Sequence, residues 1–497
     1  MAALQNFVAR RLPTISAAWL NLVDKIKVTF DVNAAETTAG VTPLTTGYPF
    51  SPIRDISRYV SDNTGVTDVR AQFQAAINVA KNEICVPDGT YLINGSLNPL
   101  SGTGIFGNGQ NTILKLANNA NVPVIQFSAS NLDAVDVHLR DFTIDGNKAN
   151  QTSANTHGIF LTNVTGTSSL LARHRINRLY IHSCKGDGIQ LGFAMRDSFV
   201  DGLAIYHCDG RGMFLGSFSD SIVTNCNIGQ SGLFGFSISG SGAIQVANIK
   251  SWFSGRLGDA GGTGPGGLNG DGFRIRNSSG FIGRNLNSQE NEGHGFRVFG
   301  DGVTIKDIDI QGFVSDSDNK EGDNVPGATS FAALSLDSVE ASTFRGRVSK
   351  FTGSAGTVQY GIVGANVGDN VTIDMDIDPA AVLSFLSNIV IANNVNVRVN
   401  QSQRGNETNG NVAATLILGT DSHTQIWNTP ITADRAVTLT TARAWRGGEY
   451  RIVRTAAATG AFNLNVGTGP LKALAAGEWC TVEFNGTAWV LTGFGAL

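Results

Sequence analysis

The octapeptide CKGDGIQL, Cys184 to Leu191, returns as CDGRGMFL, Cys208 to Leu215, and again as NEGHGFRV, Asn291 to Val298. Each copy opens on Cys or Asn, places glycines at its third and fifth positions, and closes on apolar–any–apolar. Looser copies are LFGFSI from Leu233, GDGFRI from Gly270 and QYGIVG from Gln359. The clear copies recur after about 23 or 24 residues, with longer steps where segments are inserted. Repeats of roughly 20–50 residues signal a solenoid, in which each unit packs only on its neighbours and the core grows along one axis.

The apolar residues of each copy alternate, as in Ile189 and Leu191, Met213 and Leu215, Phe273 and Ile275. That period of two belongs to strands. The segments LYIHSC, LAIYHC and SIVTNC between copies are strand-like as well. A leucine-rich repeat would need its asparagine-bearing leucine pattern, which is absent. A parallel β-helix fits, with one coil per repeat and coils about 4.8 Å apart. Cys184, Cys208 and Asn291 then form a ladder at one corner. Cys184, Cys208 and Cys226 fall at matching points of the repeat and read as buried thiols.

Composition agrees with an elongated β architecture. The chain has 497 residues, too many for one ordinary core. It holds 60 Gly for tight turns, and charged residues are 15% against 41% hydrophobic, which argues against disorder. Net charge is −4 and no basic run stands out, so no nucleic-acid partner is expected. Five cysteines without a CxxC pair speak against a disulfide framework or a zinc site, and nothing calls for a cofactor or metal. No apolar run approaches a membrane span, so no insertion is expected. The N-terminal MAALQNFVARRLPTIS is interrupted by Arg10 and Arg11 and lacks a signal-peptide pattern. Synthesis in a cytoplasm is therefore expected, with lysis as the route outside.

The segment VSDNTGVTDVRAQFQAAINVAKNEICVPDGTYLI, Val60 to Ile93, resembles the opening motif of pectate-lyase-like β-helix proteins. Thr67 and Asp68 provide an N-cap for a helix near 68–81. Phe73, Ala76, Ile77 and Ala80 give that helix an apolar stripe suited to capping the open end of the solenoid. GTGIFGNGQNTIL, Gly102 to Leu114, and DFTIDGN, Asp141 to Asn147, continue the resemblance. It implies a right-handed, single-stranded parallel β-helix over residues 51–411.

Both ends differ from the repeat. Residues 1–50 combine a short amphipathic helix after Pro13 with the linker NAAETTAGVTP, and resemble the virion-anchoring N-termini of phage tail proteins. Residues 412–497 carry short strand-like segments such as AVTLTTA, EYRIVRT and WCTVEF at spacings of about 8–15 residues. They predict a compact antiparallel β-domain, similar to C-terminal modules of phage spikes that join chains or touch carbohydrate.

Candidate chemistry follows from stacking the copies. The residue between the two apolar positions faces outward. That column reads Gln190, Phe214, Ser237, Arg274, Arg297. Two neighbouring arginines repel unless an anion bridges them, either a nearby carboxylate or an acidic sugar. Gly188, Gly212, Gly235, Gly272 and Gly295 read as a smooth trough beside the column, with Phe214 placed to stack on a sugar ring. The strand-entrance column reads Asp187, Arg211, Phe234, Asp271, His294, with Asp209, Glu290 and Glu292 near the same corner.

Glycoside hydrolysis needs two carboxyls about 5–9.5 Å apart. A polysaccharide lyase needs a base beside a uronate and cations for the enolate. Candidate catalytic residues are therefore Asp271, His294, Glu292, Glu290, Asp187 and Asp209. Candidate substrate-binding residues are Arg274, Arg297, Phe214, Arg211 and Gln190. Each acidic residue also has a plain reading as a turn residue. Two inserted segments, 255–270 and 314–330, carry Asp259, Asp316, Asp318 and Glu321 and read as loops that wall the trough, and the run DSDNKEGD from Asp316 reads as a solvated loop. Gly293-His294-Gly295 matches the GHG of polygalacturonases, but the paired Asp before it is missing and RIR precedes it, so that chemistry is doubtful.

Together these resemblances imply a homotrimeric bacteriophage tailspike in the viral tail. It would bind a bacterial surface polysaccharide, depolymerise it, and attach through residues 1–50 to a tail, baseplate or adaptor protein. A non-catalytic glycan-binding spike and a free lyase or hydrolase are the alternatives.

Overall fold

The computed structural model describes residues 54–79, 83–127, 135–161, 171–192, 195–256, 270–318, 331–351, 358–387, 396–399, 405–441 and 444–497. The anchoring helix and linker expected in residues 1–50 lie outside them.

The solenoid is a right-handed parallel β-helix, and one coil shows how the sequence builds it. Arg175–Asn177, Tyr180–His182 and Ile189–Leu191 are three successive strands. Each pairs in parallel with its counterpart one coil on: Arg175 with Phe199, Tyr180 with Ala204, Ile189 with Met213. Alternate residues point inward, so Ile176, Ile181, Ile189 and Leu191 are all buried. Between strands the chain turns through left-handed residues, which recur as columns. One column runs Arg178, Gly202, Asn225, Asn248, Asn285, Gly312, all at positive φ. Asn and Gly suit it because they enter that region at least expense. The asparagines also join side chain to side chain, Asn248 to Asn225 at 3.0 Å and Asn285 to Asn248 at 2.8 Å.

One face of the solenoid is a ten-stranded parallel sheet that carries the repeated octapeptides. Its strands are β1 (Ile125–Phe127), β2 (Ile159–Leu161), β3 (Ile189–Leu191), β4 (Met213–Gly216), β5 (Phe236–Ser239), β6 (Phe273–Arg276), β7 (Phe296–Phe299), β8 (Ala332–Asp337), β9 (Val358–Ala365) and β10 (Val382–Ser387). Behind it, Phe236, Phe273 and Phe296 stack in the core with centroids 5.7 and 4.7 Å apart. Such pairs add about 0.5–1.5 kcal/mol each beyond burial.

Helix α1, Arg70–Val79, closes the N-terminal end with Phe73, Ala76 and Ile77 buried; Ala80 lies outside the described residues. The Asp68 carboxylate accepts the Arg70 and Asn94 backbone N–H groups, both at 2.9 Å, tying the helix start to the first coils.

The corner ladder contains Cys184 and Cys208, whose thiols face each other; that contact, then burial, pushes the Cys184 pKa well up. By strand register it continues through Ser231, Ser254, Asn291 and Asp318. Cys226 does not belong to it. The register of Asn227 with Ala204 puts Cys226 opposite Leu203, one strand earlier in the coil. SIVTNC resembles LAIYHC in composition, but its cysteine ends a different strand of the coil.

The C-terminal unit corrects the expectation of an antiparallel domain. Asn406–Asn409, Thr424–Trp427 and Glu449–Arg454 pair in parallel in one sheet. Ala414–Leu416, Arg435–Leu439 and Leu464–Val466 do so in another. Only the last pairings, with Lys472–Leu474, Glu478–Phe484 and Trp489–Ala496, are antiparallel. Consecutive strands alternate between the two sheets, so next neighbours within a sheet run the same way. Strand spacing alone cannot distinguish that crossing from a hairpin. Buried Arg454 organises the closing turns by donating to the carbonyls of Ala458, Phe462 and Leu474.

Candidate functional site

The outward column of the ten-stranded sheet is in register as read from the repeat. Phe160, Gln190, Phe214, Ser237, Arg274, Arg297 and Ser335 succeed one another on β2 to β8. All are half-buried except Ser237, which is buried. Parallel neighbours place one such side chain about every 4.8 Å along the solenoid.

The strand-entrance column runs beside it: His157, Asp187, Arg211, Phe234, Asp271, His294 and Ala332. Four of these side chains accept the backbone N–H of the next coil at this corner. His157 Nδ1 takes the Asp187 N–H at 2.9 Å, and Asp187 Oδ1 takes that of Arg211 at 2.6 Å. Asp271 Oδ1 takes the His294 N–H at 3.1 Å, and His294 Nδ1 takes that of Ala332 at 2.9 Å. A buried backbone N–H left unpaired costs about 1–3 kcal/mol. This requirement accounts for acceptor side chains at the position.

Asp271 and His294 are thus brought together, but through the histidine's backbone and not as an acid–base pair. Burial raises the Asp271 pKa to about 6 against the opposing pull of Arg297 and Arg274. Burial lowers that of His294 to about 3, helped by the Arg297 and Arg274 charges. With Nδ1 accepting, the neutral ring carries its proton on Nε2 and has no free basic nitrogen to offer.

Asp187 holds the Arg211 guanidinium at 2.7 and 3.0 Å. Arg211 lies over Phe214 at 3.8 Å and reaches Gln190 at 3.4 Å, so four predicted residues form one cluster and one face of Phe214 is covered. Asp209 is elsewhere, bound to Lys148 and Lys185, each at 2.9 Å. Burial opposes its charge, but the two ammonium groups prevail and hold its carboxyl below the usual range. Glu290 and Glu292 sit on the turn leading into β7, half-buried, with backbone N–H groups bonded to Asp316 and Ser254. Asp187 and Asp271 are three coils apart.

The glycines do not form a trough. A Cβ on Gly188 would lie 2.4 Å from Ile205 Cγ2 and 2.7 Å from the Gly212 carbonyl. One on Gly212 would meet Ile228, and one on Gly272 would meet Ser288. They face inward, where the coil bends tightly against its own core. Asp318 also departs from the solvated-loop reading. It is buried, accepting from Asn291 and Ser288 at Oδ1 and from Ser315 at Oδ2. Asp316 ends the strand Ile308–Asp316. Asp259 and Glu321 lie outside the described residues.

Sequence reasoning missed His157 and Phe160, whose rings stack at 4.8 Å. HGIFL, His157 to Leu161, is a further copy of the repeat's second half and carried the signal. Phe234 stands in the strand-entrance column as read, but its contact with Arg274 was not foreseen, and Phe299, which shares in cradling the arginines, was missed. Arg274 lies 4.3 Å over Phe234 and 5.1 Å over Phe299, and Arg297 lies 4.5 Å over Phe299.

The sequence model of the rhamnogalacturonase A/epimerase, pectate-lyase-like family matches residues 53–252. No curated protein matches the chain. Among solved structures it is similar to the enzymatically active domain of tailspike protein 2 from bacteriophage CBA120, at 15% identity and TM-score 0.51. That match covers 72% of this chain and 52% of the other. It is also similar to the A-module of the mannuronan C-5 epimerase AlgE4 of Azotobacter vinelandii, at 19% identity and TM-score 0.46, covering 69% and 99%. The chain thus spans about half the length of that tailspike domain. The family match and the tailspike likeness agree with the parallel β-helix that the strand register shows.

Proposed function

We propose that this protein is a bacteriophage tailspike whose ten-stranded face binds a bacterial surface polysaccharide and depolymerises it during host adsorption. One observation carries the reading: Phe160, Gln190, Phe214, Arg274 and Arg297 stand in one outward column with close to one large outward side chain per coil. A periodic row of aromatic, amide and guanidinium groups suits a polymer of repeating sugar rings better than a single small molecule. The tailspike likeness of the fold supports the phage setting. In this reading residues 1–50 attach to the tail and three chains associate.

A second reading, binding without cutting, is favoured by the described carboxylates. Asp187 is engaged by the backbone and guanidinium of Arg211, Asp271 by the backbone N–H of His294, and Asp209 by two lysines. Incubating the full-length protein with capsule or lipopolysaccharide separates the readings. Reducing ends alone indicate hydrolysis, reducing ends with ultraviolet-absorbing unsaturated sugars indicate a lyase, and retention with neither indicates binding only. No retention on any bacterial glycan sinks both.

A further inference from the structure

Exposed arginines of the solenoid, Arg140, Arg175, Arg196, Arg345 and Arg347 among them, are solvated and form no ion pair among the described residues; the contrast that matters is between paired arginines and two half-buried ones. Arg173, Arg178, Arg211, Arg276 and Arg284 are each held by a carboxylate, from Asp136, Asp141, Asp187, Asp301 and Asp309. Arg274 and Arg297 are not: among the described residues neither forms an ion pair. They are nonetheless direct neighbours, paired Cα to Cα across β6 and β7. Among the described residues their guanidinium groups contact only ring faces, those of Phe234 and Phe299. Like charges at that spacing repel, and aromatic faces relieve only part of the repulsion.

A second feature lies behind them. Asp271 is fully buried, one of its oxygens accepts the His294 N–H, and the other, Oδ2, has no hydrogen-bond partner. One carboxylate thus faces two guanidinium groups without bonding either. The cluster keeps an excess of positive charge at half-buried positions, where screening by water is weak. Burial also pulls the Arg274 pKa down, Arg297, Arg276 and Arg211 add to that, and Asp271 opposes it. The cluster as it stands is short of negative charge.

We propose that Arg274 and Arg297 form a carboxylate-binding subsite, so that the polysaccharide taken by the ten-stranded face is acidic, with a uronate or similar carboxyl seated between the two guanidinium groups. This rests on the glycan-binding reading and narrows it to one substrate class. A carboxylate has two oxygens, and arginines on successive coils present donors to each. Phe234 and Phe299 hold the donors in place beforehand, which lowers the entropy lost on binding. The anion supplies the charge that carboxylates supply to Arg173, Arg178, Arg211, Arg276 and Arg284.

The test uses full-length protein in low salt with immobilised polygalacturonate, alginate and hyaluronate. The same polymers after carboxyl reduction, together with dextran and mannan, serve as neutral counterparts. At least one polyuronate is retained, its carboxyl-reduced form is retained about tenfold less, and added salt releases it. The double variant R274Q/R297Q loses about tenfold or more in affinity for that polyuronate with an unchanged melting temperature. The double variant R274K/R297K, which keeps charge but not the planar fork, falls between. R173Q, altered at a paired arginine outside the ten-stranded face, binds as wild type does. Equal retention of charged and reduced polymers, retention of no polyuronate, or unchanged binding by R274Q/R297Q overturns the subsite. Neutral glycans held normally by R274Q/R297Q leave the glycan reading intact while the subsite falls. Failure to hold any glycan, acidic or neutral, sinks the glycan reading itself.

Discussion

The carboxylate of Asp271 accepts the backbone N–H of His294, its neighbour one coil further on, at 3.1 Å. Both side chains are buried, and both have shifted pKa values because burial disfavours their charged forms. They belong to a column that satisfies the corner of each coil, and what looks like a catalytic pair is first a structural joint.

For Asp271 the consequence is a stability that depends on pH in a defined sense. Its folded pKa, about 6, lies above the ordinary 3.8. The folded protein therefore holds a proton that the unfolded chain releases between about pH 4 and 6, and the residue's contribution improves as pH falls through that window. Asp271→Asn, which keeps an acceptor for His294 but no charge, should raise the melting temperature at pH 7. The gain should vanish by pH 4. Asp271→Ala should be less stable than Asp271→Asn at both pH values, by about 1–3 kcal/mol, through the unpaired N–H. Urea titrations at the two pH values check this; a destabilised D271N at pH 7 contradicts it.

His294 works in the opposite direction. Its folded pKa of about 3 lies below the ordinary 6.5. The unfolded chain takes up a proton that the folded protein refuses, so stability is lost as pH falls from about 6.5 toward 3. His294→Asn keeps an acceptor for the Ala332 N–H and removes the titration. Its stability relative to wild type should improve steadily on acidification from pH 7 to pH 5, by chemical denaturation. A constant difference would show that His294 does not titrate as its burial requires.

The joint also marks how far the sequence could be read. In-register columns follow from an exact repeat of GDG, GRG and GHG, since stacked coils put equal positions side by side. Direction of the small residues did not follow: Gly188 and Gly212 look identical in sequence whether they open a trough outside or fill a tight bend inside. Cys226 was misplaced because LAIYHC and SIVTNC have similar composition on different strands of a coil. Asp318 stands in an acidic, polar run, and nothing in that run signals that the folded chain uses it to close the Cys184–Asn291 corner. The C-terminal strands were legible one by one, but their directions depend on which sheet each strand crosses to.

The inward glycines yield a sharp test of the corner. At Gly188 a methyl group would meet both Ile205 and the carbonyl of Gly212, and the carbonyl belongs to the ladder of the next coil. Gly188→Ala should destabilise the protein by about 3 kcal/mol, at the upper end for an overpacked core, because backbone gives way less than a side chain. Gly192, whose added Cβ would meet nothing within 4 Å, is the control, and Gly192→Ala should be close to neutral. Thermal unfolding of the two variants side by side checks it, and equal effects would show that the inward direction is wrong.

The last prediction concerns cutting. Asp187 and Asp271 are separated by three coil steps, about 14 Å at the parallel strand spacing, whereas paired glycosidase carboxyls lie within about 9.5 Å. Each already accepts a backbone N–H from the next coil, at 2.6 and 3.1 Å. Asparagine preserves that bond and abolishes acid–base function. If the spike cleaves its polysaccharide, D187N and D271N should each keep kcat within about threefold, because removing a true general acid or base costs about 10²–10⁴-fold. KM is free to rise in D187N, since Asp187 holds Arg211 over Phe214 and against Gln190. A hundredfold fall in kcat for either variant would return that residue to the chemistry. Retention in both would direct the search to carboxylates outside the corner column, Asp259 and Glu321 among them.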